Sequence, residues 1–372
     1  MDKAGDSRVE NTTMRMRSSI IKRGTKRNLT GKDLYIKNFF VIVTSAFVIL
    51  AVFIYPDPFI RRPVIFGLFF SMLFISYNSP GLVKTDIVPG HDYLLALLSL
   101  SVSLYFIANH DRILTRLQFS DPIFSYDYFF GIVTVLLLLE GSRRVLGPWL
   151  PLICCLSIWY VFMGQHISGR FGHMGFSTAY VIDGLFLTLY GIWGSAFGTI
   201  SNNVLPVLLF GALFVKSGAS SFLFDFVAVF FGKTKGGIAK IAIITSALFG
   251  MVSGGIITNV ATTGSITIPA MRKRGYNSAF AASVECCASI GGNFMPPIMG
   301  SVAFIMADNL GMSYRQVALS ALIPALLYFA ALFITIDIKS KRLNIEGMAT
   351  TDLKPSFYSL AKNGILFVIP LI

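Results

Sequence analysis

Two apolar runs, Ile241–Met251 and Ile256–Ile268, constrain the fold of this chain more than any other feature. They hold 11 and 13 residues. At 1.5 Å per residue that is about 17–20 Å of helix, whereas crossing a hydrocarbon core takes about 20 residues. Between them stands a small polar knot, Ser253-Gly254-Gly255, followed by Thr258 and Asn259. Backbone at membrane depth must bond within protein or around a ligand. The pair therefore reads as a re-entrant helical hairpin over residues 238–270, with its polar tip at membrane depth. A second interruption, Gly291-Gly292-Asn293 with Pro296-Pro297 just beyond, breaks a span-length apolar segment over residues 276–309. A broken hairpin facing a broken helix is one way to build an ion site at the bilayer midplane.

The remaining composition points to an all-α polytopic membrane protein. Of 372 residues, 54% are apolar and 13% charged, with a mean hydropathy of +0.70; soluble domains carry about 25% charged residues. The net charge of +13 resides in loops between apolar spans. There, Lys and Arg set topology rather than bind nucleic acid. The four cysteines form two adjacent pairs, Cys154-Cys155 and Cys286-Cys287, inside apolar runs. Helical neighbours diverge by about 100°, so neither pair points to a disulfide or a metal clamp, and small packing residues are expected.

Taken in order, residues 1–37 are polar, with ten Lys/Arg against four Asp/Glu, and read as a disordered basic cytoplasmic tail that fixes orientation. No small-residue cleavage site follows a short apolar region, so this is not a signal peptide. Spans are expected at 38–55, 63–78, 93–109, 128–142 and 147–163. Residues 38–146 form one set of scaffold helices, 147–202 a linker helix with an interfacial segment, and 203–372 a further helical region with the hairpin and the broken helix. Glu140 precedes Arg143 and Arg144 at helical spacing, which predicts a local ion pair. Glycines interrupt 185–198, which reads as interfacial or re-entrant, and Asn203–Val215 reads as a short span.

Two superficial motifs carry little. His166 and His173 are separated by glycines and lack a usual zinc spacing. Gly232-Lys233-Thr234 lacks the upstream glycine and strand of a phosphate loop. An inside N-terminus leaves 25 Lys/Arg inside and six outside, with Arg61-Arg62 the least comfortable pair. The final run, Gly364–Ile372, amounts to about half a span.

At the tip, Ser253, Thr258 and Asn259 offer side-chain oxygens, and Gly254 and Gly255 let carbonyls turn inward. Such neutral oxygens suit a small hard cation such as Na⁺ that must also leave again. Gly291, Gly292 and Pro296 supply the facing break. The alternative is that these small residues only let helices pack closely. Glu285 shares a helical face with Ala281, Ala288 and Gly292, so it points toward the hairpin. Intramembrane carboxylates are costly and often functional. Here Glu285 either takes part in coupling or substrate binding, or ties the hairpin in place by hydrogen bonds. Thr262, Thr263 and Ser265 either bond the preceding turn's carbonyls or face a carboxylate substrate, with Asn293 in the break a further contact. The hairpin holds no buried Arg, so an anion would rely on helix N-termini and backbone amides.

The stretches SALFGMVSGGIITNVATTGSITIPAMRKRGY, VECCASIGGNFMPPIMGSVAFIMA and ALIPALLYF resemble the large membrane subunit of TRAP (tripartite ATP-independent periplasmic) transporters, in the form fused to the small subunit. The resemblance covers roughly 92–344 and is strongest from Leu205 onward. It implies a Na⁺-coupled importer of small carboxylates in a bacterial or archaeal inner membrane. A solute-binding protein outside would deliver substrate, and the hairpin domain would move as an elevator. Na⁺ is then the coupling ion, and no other cofactor is implied. Family members commonly carry Ser-Gly-Ser at the tip, where this chain has Ser253-Gly254-Gly255. A second inverted half follows in the family, so the chain reads as a fragment or as one piece of a split permease. The competing classes are a passive channel, needing no coupling ion, and an intramembrane hydrolase, for which the spans offer no Ser–His or paired-Asp arrangement.

Overall fold

The computed structural model describes residues 24–54, 56–80, 86–217, 219–345 and 347. Residues 1–23 of the expected tail and the expected half-span Gly364–Ile372 lie outside them. Among the described residues every regular element is helical, and one isolated bridge pairs Lys26 with Tyr77. Six helices among the described residues are long and apolar enough to cross a membrane: Gly31–Ile54, Pro58–Ser76, Gly90–Ala108, Trp149–His166, Ser195–Phe214 and Tyr314–Arg342. The chain is an all-α, multi-pass membrane protein. It divides into two compact units, Met1–Ser201 and Asn202–Ile372.

The first unit begins with α1 (Gly31–Ile54), α2 (Pro58–Ser76), α3 (Gly90–Ala108), the short α4 (His110–Thr115), α5 (Ser125–Leu146) and α6 (Trp149–Met163). The Asp57 side chain caps α2 by accepting from Phe59 N at 2.8 Å, with Pro58 at its first position. Small residues let α2 and α3 approach, and their hydroxyls bond across. Ser71 Oγ donates to Ala96 O at 2.8 Å and Ser103 Oγ to Pro63 O at 2.8 Å. The expected span 128–142 lies inside α5, a longer helix that also carries Asp127, Arg143 and Arg144. The ion pair foreseen at its end is present: Glu140 accepts from Arg143 Nε at 2.7 Å and Arg144 Nε at 2.8 Å.

One feature of this unit departs from the sequence reading. Residues 24–37 are built into the fold rather than forming a loose tail. Arg27 is buried and donates to Asn78 Oδ1 at 2.6 Å, to the carbonyls of Phe74 and Ile75 at 3.0 Å, and to Asp92. Arg144 reaches the same Asp92 at 2.6 Å and lies 5.0 Å from the Phe74 ring. A buried carboxylate thus holds two guanidiniums and stitches the chain before α1 to α2, α3 and α5. The glycine-broken segment 185–198 follows α7 (Thr178–Ile182) as a π turn and an irregular stretch, then α8 (Ser195–Thr199). It sends Phe186 and Trp193, both fully buried, into an aromatic core with Phe66 and Phe106. The indole donates to Phe186 O at 2.7 Å, so burial leaves its N–H paired. Arg62, awkward in the topology count, donates to the carbonyls of Trp193 and, at 3.2 Å, Gly194. Between spans, Arg116 binds Asp183 through both terminal nitrogens, at 2.7 and 2.8 Å, and this bond holds its guanidinium above the ordinary value.

The second unit contains α9 (Leu205–Lys216), α10 (Ala219–Phe231), α11 (Gly237–Ser253), α12 (Ile256–Lys273), α13 (Ser278–Gly292), α14 (Ser301–Leu310) and α15 (Tyr314–Arg342). The expected span 203–215 is longer than its apolar run. Helical backbone continues through Ser201, Asn202 and Asn203 in a π turn, giving the 20-residue segment Ser195–Phe214. The hairpin helices are also longer than 11 and 13 residues, reaching 17 and 18. The polar start of α11 is helical too, because Lys240, though buried, pairs with Asp337 at 2.7 Å. Nearly all of α11 is buried, with Ile241, Ala242 and Ile243 against Ala281, Val284 and Ala288 of α13. Helix α11 is therefore the core against which the unit is assembled.

Candidate functional site

The hairpin turns at Gly254, whose φ of 59° is left-handed and favours glycine. Ser253 ends α11 and Gly255 starts α12. The segment Asn293–Gly300 interrupts the second element between α13 and α14, so the break is eight residues long and begins after Gly291 and Gly292, which close α13. Pro296 lies inside it. The break is braced: Asn293 O accepts from Gly300 N at 2.6 Å, and Tyr314 Oη donates to the carbonyls of Pro297, at 3.0 Å, and Ile298.

Tip and break meet. A methyl group at Gly254 would stand 2.9 Å from Met299 O. One turn deeper, backbone lies against backbone. A methyl at Gly250 would come within 2.6 Å of Gly292 Cα, and one at Gly292 within 2.9 Å of Gly250 Cα. No side chain separates the helices there, which is what the small residues provide. Each interruption brings one helix C-terminus (α11, α13) and one N-terminus (α12, α14). Neither N-terminus has a side-chain cap. Carbonyl ends attract cations and amide ends attract anions. Ser253 Oγ is buried here without a hydrogen-bond partner among the described residues.

Behind the tip lies a buried polar cluster drawn from three helices. Glu285 on α13 is fully buried. Its Oε1 accepts from Ser246 Oγ on α11, at 2.5 Å, and from Thr263 Oγ1 on α12; its Oε2 accepts from Thr267 Oγ1 on α12, at 2.5 Å. Ser289 Oγ stands 3.4 Å away. Asn259, also fully buried, donates from Nδ2 to Ser246 O at 2.8 Å, and Thr263 Oγ1 lies 3.0 Å from its Oδ1. A hydroxyl has one proton. When Thr263 gives its proton to Glu285, Asn259 Oδ1 is left as an acceptor with free lone pairs.

The sequence-derived residues thus fall into three places. Ser253, Gly254, Gly255, Gly291, Gly292, Asn293 and Pro296 sit at the tip and break. Asn259, Thr263 and Glu285 lie in the cluster behind. Thr258 is exposed and Thr262 half-buried on another face of α12, where Thr262 Oγ1 donates to Thr258 O at 2.7 Å and Ser265 Oγ to Thr262 O at 2.7 Å. Ser246, Thr267, Ser289 and Tyr314 went unnoticed in the sequence. A signal existed for one of them, Thr267: Asn259, Thr263 and Thr267 recur every four residues, on one helical face.

Residues 132–372 match the family model described as the DctM component of the tripartite ATP-independent periplasmic transporter. The chain is similar to the C4-dicarboxylate TRAP transporter large permease protein DctM of Pseudomonas aeruginosa, with 30% identity over 44% of this chain and 38% of that protein. It is similar to the isethionate TRAP transporter permease protein DctMQ of Oleidesulfovibrio alaskensis, with 30% identity over 34% of this chain and 20% of the relative. The sialic acid TRAP transporter large permease protein SiaM of Vibrio cholerae is 25% identical over 44% of this chain and 38% of its own length. The chain spans less than two fifths of the length of these curated relatives.

Proposed function

Because the chain belongs to the DctM-component family of the tripartite ATP-independent periplasmic transporters, we propose that it forms part of a permease importing a small organic anion with Na⁺. An extracytoplasmic solute-binding protein delivers the anion, and the N-terminus is cytoplasmic in a bacterial or archaeal inner membrane. The observation that carries this reading is the meeting of two helix interruptions beside a buried polar cluster. In this proposal Na⁺ sits near the C-terminal ends of α11 and α13, with Ser253 Oγ and Asn259 Oδ1 as side-chain ligands and the loosened backbone of the tip and break completing the shell. The uncapped N-termini of α12 and α14 receive the carboxylate, beside the exposed Thr258. The relatives are named for C4-dicarboxylate, isethionate and sialic acid, all organic anions, which supports that substrate class. A second half of the permease supplies the remaining ligands.

In this arrangement Glu285 acts indirectly. Its oxygens are occupied by hydroxyls of both hairpin arms, so it holds the arms to α13 and keeps Asn259 Oδ1 open. The test is Na⁺-dependent stabilisation of the purified permease, compared with K⁺ at equal ionic strength. A ligand that binds only the native state raises its stability. Wild type should gain thermal stability from Na⁺, and Asn259→Leu should lose that gain while still inserting into the membrane. Equal response of both proteins would remove Asn259 from the site.

A further inference from the structure

In the first unit, a groove of about 550 Å³ runs between α1, α2 and α5. We propose that it holds an anionic glycerophospholipid, with an acyl chain along its apolar wall and the phosphate at its basic mouth. The chain entering α1 lies beside the C-terminal ends of α2 and α5. Gly24 N donates to Arg144 O at 2.8 Å, Arg27 N to Ser76 O at 2.9 Å, and Arg144 Nη1 to Tyr77 O at 3.1 Å, joining the start of α1 to the ends of α2 and α5. At that end the groove is lined by Lys26 and Lys37. Farther in, Val41, Phe69 and Leu138 form its wall. From Leu138 to the end of α5 the helix rises about 12 Å, enough for the upper half of an acyl chain. The gradient from charge to hydrocarbon matches a lipid and not a soluble anion, which would gain nothing from the wall.

The mouth also lacks its own counter-charge. Neither Lys26 nor Lys37 has a carboxylate within ion-pair distance among the described residues, and the nearby acids are engaged elsewhere. Asp33 accepts from Val88 N at 2.9 Å and Tyr93 Oη at 2.7 Å, Asp92 pairs with Arg27 and Arg144, and Glu140 with Arg143 and Arg144. Ser142, which also lines the groove, has a buried Oγ without a partner among the described residues. A buried donor without an acceptor calls for one, and a lipid phosphate or ester carbonyl supplies it. Basic pockets between transmembrane helices at the cytoplasmic surface recognise anionic headgroups in this way.

Native mass spectrometry of the purified, delipidated protein tests the assignment, using phosphatidylglycerol, phosphatidylcholine and free glycerol phosphate as probes. Each lysine near a membrane surface contributes about 1 kcal/mol, so phosphatidylglycerol should be retained roughly tenfold or more above phosphatidylcholine. Lys26→Ala with Lys37→Ala should bring the two lipids level, and the Arg pair at the same positions should restore the preference. Val41→Trp, at a partly exposed position on the wall, should displace both lipids. Equal retention of the two lipids by wild type would overturn the proposal. So would an undiminished preference in the Ala pair, or glycerol phosphate competing as well as the whole lipid.

Discussion

Glu285→Ala is expected to be the most destabilising single substitution in the second unit, at about 3 kcal/mol or more. The carboxylate accepts from Ser246, Thr263 and Thr267, which belong to both hairpin arms. A hydrogen bond contributes about 0.5–1.5 kcal/mol, and a buried group left unpaired costs about 1–3 kcal/mol. Some loss is recovered, since Thr263 Oγ1 also lies 2.9 Å from Asn259 O and can turn to it. Thr267 has no such second partner among the described residues. The thermal midpoint should fall by roughly 4 °C or more for a chain of this length. Glu285→Gln keeps the shape and one acceptor oxygen, so it should fall between wild type and alanine. Thermal unfolding in lipid nanodiscs checks the order. An alanine variant as stable as wild type would show that the cluster does not hold the hairpin.

The second large effect is expected at the contact between hairpin and broken helix. Adding one methyl at Gly250 places it 2.6 Å from Gly292 Cα, and the obstructing atom is backbone that cannot rotate away. The helices must part, and overpacking of this kind costs about 1–3 kcal/mol. The same methyl would also stand 2.9 Å from Asn259 Nδ2, the group that bonds Ser246 O, so Gly250→Ala should reduce Na⁺-dependent uptake at least tenfold without blocking membrane insertion. Gly292→Ala should behave alike. The double variant should cost less than the sum, because the shift forced by one methyl makes room for the other. Full additivity in thermal unfolding would mean that the two glycines do not share one contact.

How far the sequence revealed this site depends on the physics behind each residue. The breaks at Ser253-Gly254-Gly255 and near Gly291-Gly292 were legible because backbone in a bilayer has few ways to interrupt a helix. The direction of Glu285 was legible because Ala281, Ala288 and Gly292 mark a tightly packed face. Helix lengths were not, since apolar runs record lipid contact while hydrogen bonding carries a helix through Lys240 once Asp337 pairs with it. Nor could the partners of Glu285 be read, because Ser246 belongs to a different helix and only tertiary packing brings it there. Thr262 and Thr263 looked equivalent, yet a 100° step along α12 leaves one half-buried and the other fully buried. The burial of Trp193 followed from aromatic packing with Phe66 and Phe106, which glycine spacing could not reveal.

The central claim is that the tip and break bind Na⁺ whose gradient drives the anion inward. The direct measurement is uptake of a small organic anion into proteoliposomes containing the permease, with its binding protein outside. An imposed inward Na⁺ gradient should concentrate the anion inside, and replacing Na⁺ by K⁺ at equal ionic strength should abolish accumulation. Equal uptake in K⁺, or uptake that only equalises the two sides whatever the gradient, would contradict the account and favour a passive pore.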